Sequence, residues 1–246
     1  LKGEGEIAPR GLPLRGEGEI APRGLPLRGE GEIAPRTLPL KGEGDVAAAA
    51  GGGVAGEARG AILAGGDSKR MGTDKALVEV AGIPMGERVA RALAQVVEEV
   101  IVVGRRDELA GLRAVVDDWP GRRGPLAGLA TALGVGDGRP TVVVGVDQPF
   151  LRAVTLRRLL DLAEPERAVV PVDRGARQVT CAVYPGSWRE EAAHELDRGG
   201  SLRSLLERLA VREVLAQEWR TWGEDGRSWF SVDTPEVLRR GEARYV

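Results

Sequence analysis

The sequence predicts an α/β fold in which a doubly wound, mainly parallel sheet carries helices on both faces. Two observations support this prediction. From Gly60 onward, short β-branched runs alternate with segments of helical periodicity, and several of the runs end in glycine or aspartate. This alternation is typical of βαβ units, which place ligands at the carboxyl ends of their strands. A chain of 246 residues with 42% hydrophobic content is long enough for one such core.

Each predicted element follows from its own residue pattern. The strand-like runs are short and rich in valine and isoleucine; in chain order they are AILAGG (61–66), EVIVVG (99–104), AVVDD (114–118) and TVVVGVD (141–147). The helical segments carry apolar residues three and four apart; they are IPMGERVARALAQVVEE (83–99), PLAGLATAL (125–133), VTLRRLLDLAEP (154–165) and GGSLRSLLERL (199–209). We therefore expect one folded domain over residues 61–246.

Residues 1–60 differ in kind from the rest of the chain. GEGEIAPRGLPLR begins at Gly3 and at Gly16, and a close copy begins at Gly29, a period of 13 residues. Each copy offers too little apolar surface to offset the entropy of ordering it, so we expect a disordered tail that ends in an Ala/Gly linker. Tandem duplication without a folded role is favoured over a partner-binding tether. Because the sequence begins at Leu1 rather than Met, we expect a non-standard or misplaced start.

Composition limits the classes of partner. A formal net charge of −2 argues against non-specific nucleic-acid binding. The sequence has no apolar run near the roughly 18 residues that suggest a membrane span. Its single cysteine, Cys181, excludes an intramolecular disulfide and is expected to be buried, and its single histidine, His194, is expected on a surface helix. These features predict a cytoplasmic protein with neither nucleic-acid nor membrane partners.

The segment LAGGDSKRMGTDKAL, residues 63–77, predicts a nucleoside triphosphate site. Gly65 and Gly66 allow the backbone to turn and bring its N–H groups close to a phosphate. Lys69, Arg70 and Lys75 supply positive charge. The alternative is a solvated basic loop, which explains the ordered spacing of these residues less well.

Two further strand ends carry carboxylates at the same predicted edge of the sheet. AVVDD ends in Asp117 and Asp118, and the run TVVVGVD ends in Asp147. A carboxylate that faces a phosphate-binding loop is repelled by the triphosphate unless a divalent cation lies between them. Mg²⁺ commonly bridges one or two carboxylates and substrate phosphates, so Asp147 is the predicted metal ligand.

The first loop resembles the molybdenum cofactor guanylyltransferases, a nucleotidyltransferase family whose signature is LAGG, three variable residues, RMG, one variable residue and DK. The segments GPLAGL (124–129) and GVDQPFL (145–151) are also similar to segments of that family. Related cytidylyltransferases and sugar nucleotidyltransferases usually begin with LAAG, so Gly66 favours the guanylyl branch. The resemblance covers residues 61–236 and implies a Rossmann-like nucleotidyltransferase fold.

The resemblance implies Mg²⁺-dependent transfer of GMP from GTP to the phosphate of the molybdopterin cofactor, with release of pyrophosphate. It also suggests molybdoenzymes or other cofactor-synthesis proteins as partners. The catalytic candidates are Arg70, Lys75 and Asp147. The GTP-binding candidates are Leu63, Ala64, Gly65, Gly66, Arg70, Gly72, Lys75 and Asp117, and the metal-binding candidates are Asp147 and Asp117, with Asp118 as the alternative register.

The chain departs from the family pattern at three positions. In WFSVDTPEVL, residues 229–238, which resembles a family strand followed by a helix, Ser231 and Asp233 stand where Asn is usual. Gly104 stands where relatives often have Asn. The resemblance also places Arg203 toward the pterin-binding side.

Two other classes of function remain open at this point. A cytidylyltransferase or a sugar-phosphate nucleotidyltransferase would use the same fold with another substrate. A non-catalytic cofactor carrier or nucleotide-binding module would need no residues for neutralising a departing pyrophosphate. The combination of Arg70, Lys75 and Asp147 therefore favours an enzyme.

Overall fold

The structure, a computed structural model, describes residues 58–65, 73–116, 119, 124–135 and 137–246. Residues 1–57 of the predicted disordered tail lie outside these ranges. So do most of the first loop, residues 66–72, and the two aspartates at 117 and 118. Among the described helices, none has the length and apolarity that a membrane crossing would need.

The described elements alternate along the chain much as the sequence predicts. The strands are β1 Arg59–Leu63, β2 Glu79–Val80, β3 Ile83–Pro84, β4 Glu99–Val103, β5 Arg113–Val115, β6 Thr141–Gly145, β7 Ala168–Asp173, β8 Ala176–Arg177, β9 Cys181–Tyr184 and β10 Val211–Val214. The α-helices are α1 Met85–Ala94, α2 Gly124–Val135, α3 Ala153–Asp161, α4 Arg189–Asp197, α5 Leu202–Arg208, α6 Ala216–Trp219 and α7 Pro235–Tyr245. β1 includes Arg59 and Gly60, which the sequence analysis placed at the end of the linker.

The main sheet of the described chain is mostly parallel. Its order is β10-β7-β9-β6-β1-β4-β5, with β8 paired to β7 at the end of that strand. β1 is parallel to both β4 and β6, and β5 and β10 are each parallel to their neighbours. β9 runs antiparallel between β6 and β7. The predicted doubly wound α/β class is confirmed, with antiparallel pairing in the main sheet confined to β8 and β9. The strands β2 and β3 form a separate two-stranded antiparallel sheet.

Helices cover both faces of the sheet, as predicted. Alternation along β1 directs Ala61 to one face and Ile62 to the other, and both residues are fully buried. Ile62 packs in a core with apolar residues of α1 and α3, whereas Ala61 packs in a core with residues of α2, α4 and α5. The central strands β1, β4, β6 and β9 are consequently buried on both sides, which explains their continuous apolar runs.

The C-terminal segment closes the sheet edge without forming the strand that was expected from WFSVDTPEVL. A short 3₁₀ helix at Arg227–Trp229 precedes an extended stretch, and α7 follows. The extended stretch is held by a single backbone bond in which Val232 N–H donates to the Asp147 carbonyl over 2.8 Å. Because the chain crosses the sheet edge here rather than running beside a strand, no ladder forms, and the segment meets the loop after β6.

Candidate active site

The site is expected at the junction of β1 and β6. The chain passes from β1 to β4 on one side and later returns to β6 on the other, so the crossover direction changes between β1 and β6. Such switch points open a crevice at the carboxyl ends of the strands. Leu63 pairs in register with Gly145, and the Val146 N–H donates to the Leu63 carbonyl over 3.1 Å. The two strand ends therefore meet side by side.

Asp147 follows β6 in a tight turn that fixes its carboxylate. The Gly145 N–H donates to the Gln148 side-chain carbonyl over 2.9 Å, and the Gln148 N–H donates to the Gly145 carbonyl over 3.2 Å. A Cβ built on Gly145 would lie 2.5 Å from Asp147 Oδ1. The carboxylate thus occupies the space that any side chain at position 145 would need.

Lys75 is brought to Asp147 by a short 3₁₀ helix, Lys75–Leu77. The preceding Asp74 caps this helix by accepting the Ala76 N–H over 3.0 Å, and its other carboxylate oxygen accepts from the Arg105 guanidinium over 2.8 Å. Arg105 follows β4, so the sheet itself holds the loop. The Lys75 ammonium lies 3.6 Å from Asp147 Oδ2, and its side chain is 17% exposed.

Two residues of the C-terminal segment complete the cluster. Lys75 donates a short hydrogen bond to Asp233, and the Ser231 hydroxyl donates to Asp147 Oδ2 over 2.7 Å. Ser231 also lies 3.4 Å from Asp233 Oδ2. Two carboxylates, those of Asp147 and Asp233, thus face the Lys75 ammonium in a partly enclosed site.

The structure brings together some of the predicted site residues. Lys75 and Asp147 are adjacent, as the predicted roles require. Leu63 and Ala64 lie at the same edge, but the Leu63 carbonyl and the Ala64 N–H are used in strand pairing, the latter to the Val103 carbonyl over 2.9 Å. Gly65, which is exposed, follows this last ladder bond. The other candidates lie outside the described residues; they are Gly66, Arg70, Gly72, Asp117 and its alternative Asp118.

The donor set at Asp147 suits a hard cation such as Mg²⁺, which prefers carboxylate and phosphate oxygens. Across the described ranges, no group of three or more His, Cys, Asp or Glu residues could hold a metal by itself. Asp147 would therefore share the ion with Asp233, with substrate phosphates or with residues beyond the described ranges.

Two residues that sequence reasoning assigned to structural roles take those roles. His194 lies exposed on α4. Cys181 is fully buried in β9, and this burial raises the pKa of its thiol, so it is not a nucleophile. The indole of Trp229 is also buried, and it donates to Asp173 Oδ2 over 3.2 Å.

Sequence reasoning missed the side chains that support the cluster from a distance. The sequence offers one indication of Arg105, because this cation follows shortly after the end of β4. It also offers an indication of Gln148, because this polar residue directly follows Asp147, the candidate metal ligand. Both contacts depend on tertiary proximity that one sequence does not reveal.

Known proteins resemble this chain over most of its described part. Residues 60–214 match the family described as the MobA-like NTP transferase domain. A probable molybdenum cofactor guanylyltransferase of Natronomonas pharaonis is 36% identical over 201 residues, covering 77% of this chain and 98% of that relative. A molybdenum cofactor guanylyltransferase of Xanthomonas euvesicatoria is 44% identical over 183 residues, covering 74% and 92%. The crystal structure of molybdopterin-guanine dinucleotide biosynthesis protein A from Archaeoglobus fulgidus gives a TM-score of 0.67 at 26% identity, covering 76% and 97%.

Proposed function

Because the chain belongs to the MobA-like NTP transferase domain family and is a nucleotidyltransferase, we propose that it transfers GMP from GTP to the phosphate of molybdopterin and releases pyrophosphate. The names of its relatives support the choice of donor and acceptor. The observation that carries the proposal is the placement of Lys75 beside Asp147 at the switch point between β1 and β6.

The reaction needs no general base from the protein. A phosphate monoester has a second pKa near 6, so the acceptor oxygen is largely ionised at neutral pH. That oxygen attacks the α-phosphorus of GTP in line with the departing pyrophosphate; one P–O bond forms as the bond to the leaving oxygen breaks. Catalysis then depends on positioning and on neutralising charge.

Lys75 is the described residue suited to neutralising that charge. Its ammonium faces two carboxylates, so it is held at the site before substrate binds, and the triphosphate can take over one of those partners. In the same loop, Arg70 would also neutralise the triphosphate, and Gly72 would allow the loop to close near phosphate. The backbone of residues 63–66 would line the base and ribose. Gly65 would admit the nucleotide to the loop, since it lies exposed beyond the last ladder bond.

Mg²⁺ is the cofactor in this proposal. Asp147 would hold it, with Asp117 as the second carboxylate, and the bound ion would screen the negative charge of the phosphates. Ser231 orients the Asp147 carboxylate by donating to one of its oxygens. Gly145 keeps the space beside the other oxygen clear.

The test is pyrophosphate release by the purified chain with Mg²⁺ and intact molybdopterin cofactor, comparing GTP, CTP and ATP. We expect release with GTP well above that with the other two nucleotides. A preference for CTP would support nucleotidyl transfer but contradict the choice of GTP as the donor. Release with none of the three, from folded protein and verified cofactor, would contradict the proposed transfer and favour a carrier.

A further inference from the structure

A groove of about 550 Å³ opens beside the Lys75–Asp147 cluster, between the β7–β8 turn and α7. Ser231, whose hydroxyl donates to Asp147, is one of its lining residues. The groove therefore borders the candidate reaction centre through Ser231. Its size is within the roughly 300–1,000 Å³ range of small-molecule sites.

Three guanidinium groups line this groove, those of Arg174, Arg240 and Arg244. We call it the arginine groove. Within the part of the chain that the structure describes, no carboxylate lies at ion-pair distance from any of the three. Asp225, which also lines the groove, is already paired with Arg227 through two bonds of 3.0 Å. The groove thus has an excess of positive charge.

Aromatic side chains hold two of these arginines. The Arg240 guanidinium lies 5.5 Å from the Phe230 ring centroid, and that of Arg244 lies 4.9 Å from the Tyr245 ring centroid. Cation–π contacts orient a guanidinium without neutralising its charge. The groove therefore presents both flat apolar surface and cations, which suits a planar heterocycle with carbonyl oxygens and anionic substituents.

The third arginine is held in an unfavourable backbone conformation. Arg174 and Gly175 form the two-residue turn between β7 and β8, and their φ angles are +49° and +75°. Asn or Gly is preferred at the first position of such a turn, whereas a long side chain there is disfavoured. An outlier of this kind beside a charged groove points to a functional reason for the arginine.

The position of the groove relative to the sheet separates it from the nucleotide site. The first loop follows β1, whose other neighbour is β4, whereas the β7–β8 turn lies beyond β9 on the opposite side of β6. β7 runs parallel to β6, because β9 is antiparallel to both strands. Asp173, at the end of β7, therefore lies at the same edge of the sheet as the end of β6. In an in-line displacement the attacking oxygen enters opposite the departing pyrophosphate, and an acceptor site on the other side of β6 from β1 is compatible with that geometry.

We propose that the arginine groove binds the heterocyclic part of the acceptor, a planar ring system with carbonyl and amide groups, and directs its anionic phosphate past Ser231 toward Asp147. This inference rests on the proposed function. Arg174, Arg240 and Arg244 recognise anionic or carbonyl oxygens of the heterocycle, and the aromatic rings stack against it. Arg203, which the family resemblance placed near the acceptor, does not line the groove.

The test compares the double variant Arg240→Gln/Arg244→Gln and the single variant Arg174→Asn with wild type. We expect the KM for the molybdopterin cofactor to rise by about tenfold or more in the double variant, as expected for lost charge-assisted bonds. The KM for GTP should stay unchanged. Arg174→Asn should also raise the acceptor KM while leaving the melting temperature equal or higher, because Asn suits a positive φ.

Arg239→Gln is the matched control, since Arg239 lies on the same helix, pairs with Glu236 at 3.4 Å and does not line the groove. An unchanged acceptor KM in the double variant, or an equal rise in the control, would overturn the assignment. If wild type transfers no GMP, the proposed function fails. Equilibrium ultrafiltration with the same cofactor then tests separately whether the arginine groove binds it. Tighter binding to wild type than to the double variant supports it; equal or absent binding overturns it.

Discussion

At the residue scale, the candidate site depends on one glycine as much as on its charged groups. Gly145 ends β6 and leaves room for the Asp147 carboxylate, which lies where a Cβ would be. The glycine has no positive φ, so its requirement is steric rather than conformational. A side chain at position 145 would therefore displace the Asp147 carboxylate while leaving the aspartate itself in the sequence.

Gly145→Ala should reduce the rate of nucleotidyl transfer by about a hundredfold, because a shift near 1 Å in a catalytic group can cost that much. Only the carboxylate has to move, so the protein should stay folded. Transfer rate and melting temperature are to be measured together. Gly134→Ala is the control, since a Cβ at Gly134 in α2 meets nothing within 4 Å. Equal rates in the two variants would contradict this role.

At the element scale, two helices begin at side-chain caps, and one of these caps adjoins the site. Ser201 caps α5 with a capping box, and Thr234 caps α7 by accepting the Val237 N–H over 3.3 Å, with Pro235 in the first turn. Both caps are predictable from the sequence, because Ser, Thr and Pro have clear preferences at these positions. The cap at Thr234 directly follows Asp233, the partner of Lys75.

Thr234→Ala should lower the free energy of unfolding by about 1 kcal/mol, the usual effect of losing an N-cap. Thr234→Ser should restore most of it, because a serine hydroxyl can accept the same N–H. Urea denaturation of the three proteins gives the comparison. If the alanine and serine variants have the same stability, the hydroxyl of Thr234 does not contribute as a cap.

A buried carboxylate fastens α4 to α5. Glu195 accepts from Ser204 over 2.6 Å, and it pairs with Arg198 and Arg208. The Ser204 hydrogen bond, followed by that of Arg198, lowers the pKa of Glu195 below its ordinary value of 4.5. Since the folded-state pKa is the lower one, the stabilisation is complete above the unfolded-state value and is lost as the pH falls through the folded-state value.

Glu195→Gln should therefore be less stable than wild type at pH 7, and the difference should shrink as the pH is lowered below about 4.5, the ordinary pKa of the group. Melting temperatures across that pH range test the prediction. Glu191→Gln, an exposed position on the same helix, is the control. A stability difference between wild type and Glu195→Gln that stays constant down to pH 3 would rule out this linkage.

At the scale of the whole molecule, the strand order of the sheet places residues from distant parts of the sequence at one site. The alternation of strands and helices predicted the α/β class, and the apolar runs predicted burial on both faces, because each strand carries its own pattern. The family motif in the first loop was confirmed by comparison with known proteins. Lys75 and Asp147 could be paired in advance because parallel strands end at one edge.

Other parts of the site could not be predicted, because they depend on distant contacts. Ser231 and Asp233 were noticed as departures from the family pattern, but their hydrogen bonds to Asp147 and Lys75 arise only when the C-terminal segment crosses the edge of the sheet. That crossing replaces the strand expected there. The arginine groove likewise combines a turn and a helix that are more than 60 residues apart in the sequence.

The central claim is that Lys75 and Asp147 perform GMP transfer at the junction of β1 and β6. The most direct measurement is single-turnover formation of the guanine dinucleotide cofactor, detected by mass spectrometry, for wild type, Lys75→Ala and Asp147→Ala. We predict product with wild type and a loss of at least about a hundredfold in each variant, the effect typical of removing an electrostatic catalyst, with circular dichroism unchanged. Wild-type rates in either folded variant would contradict the account.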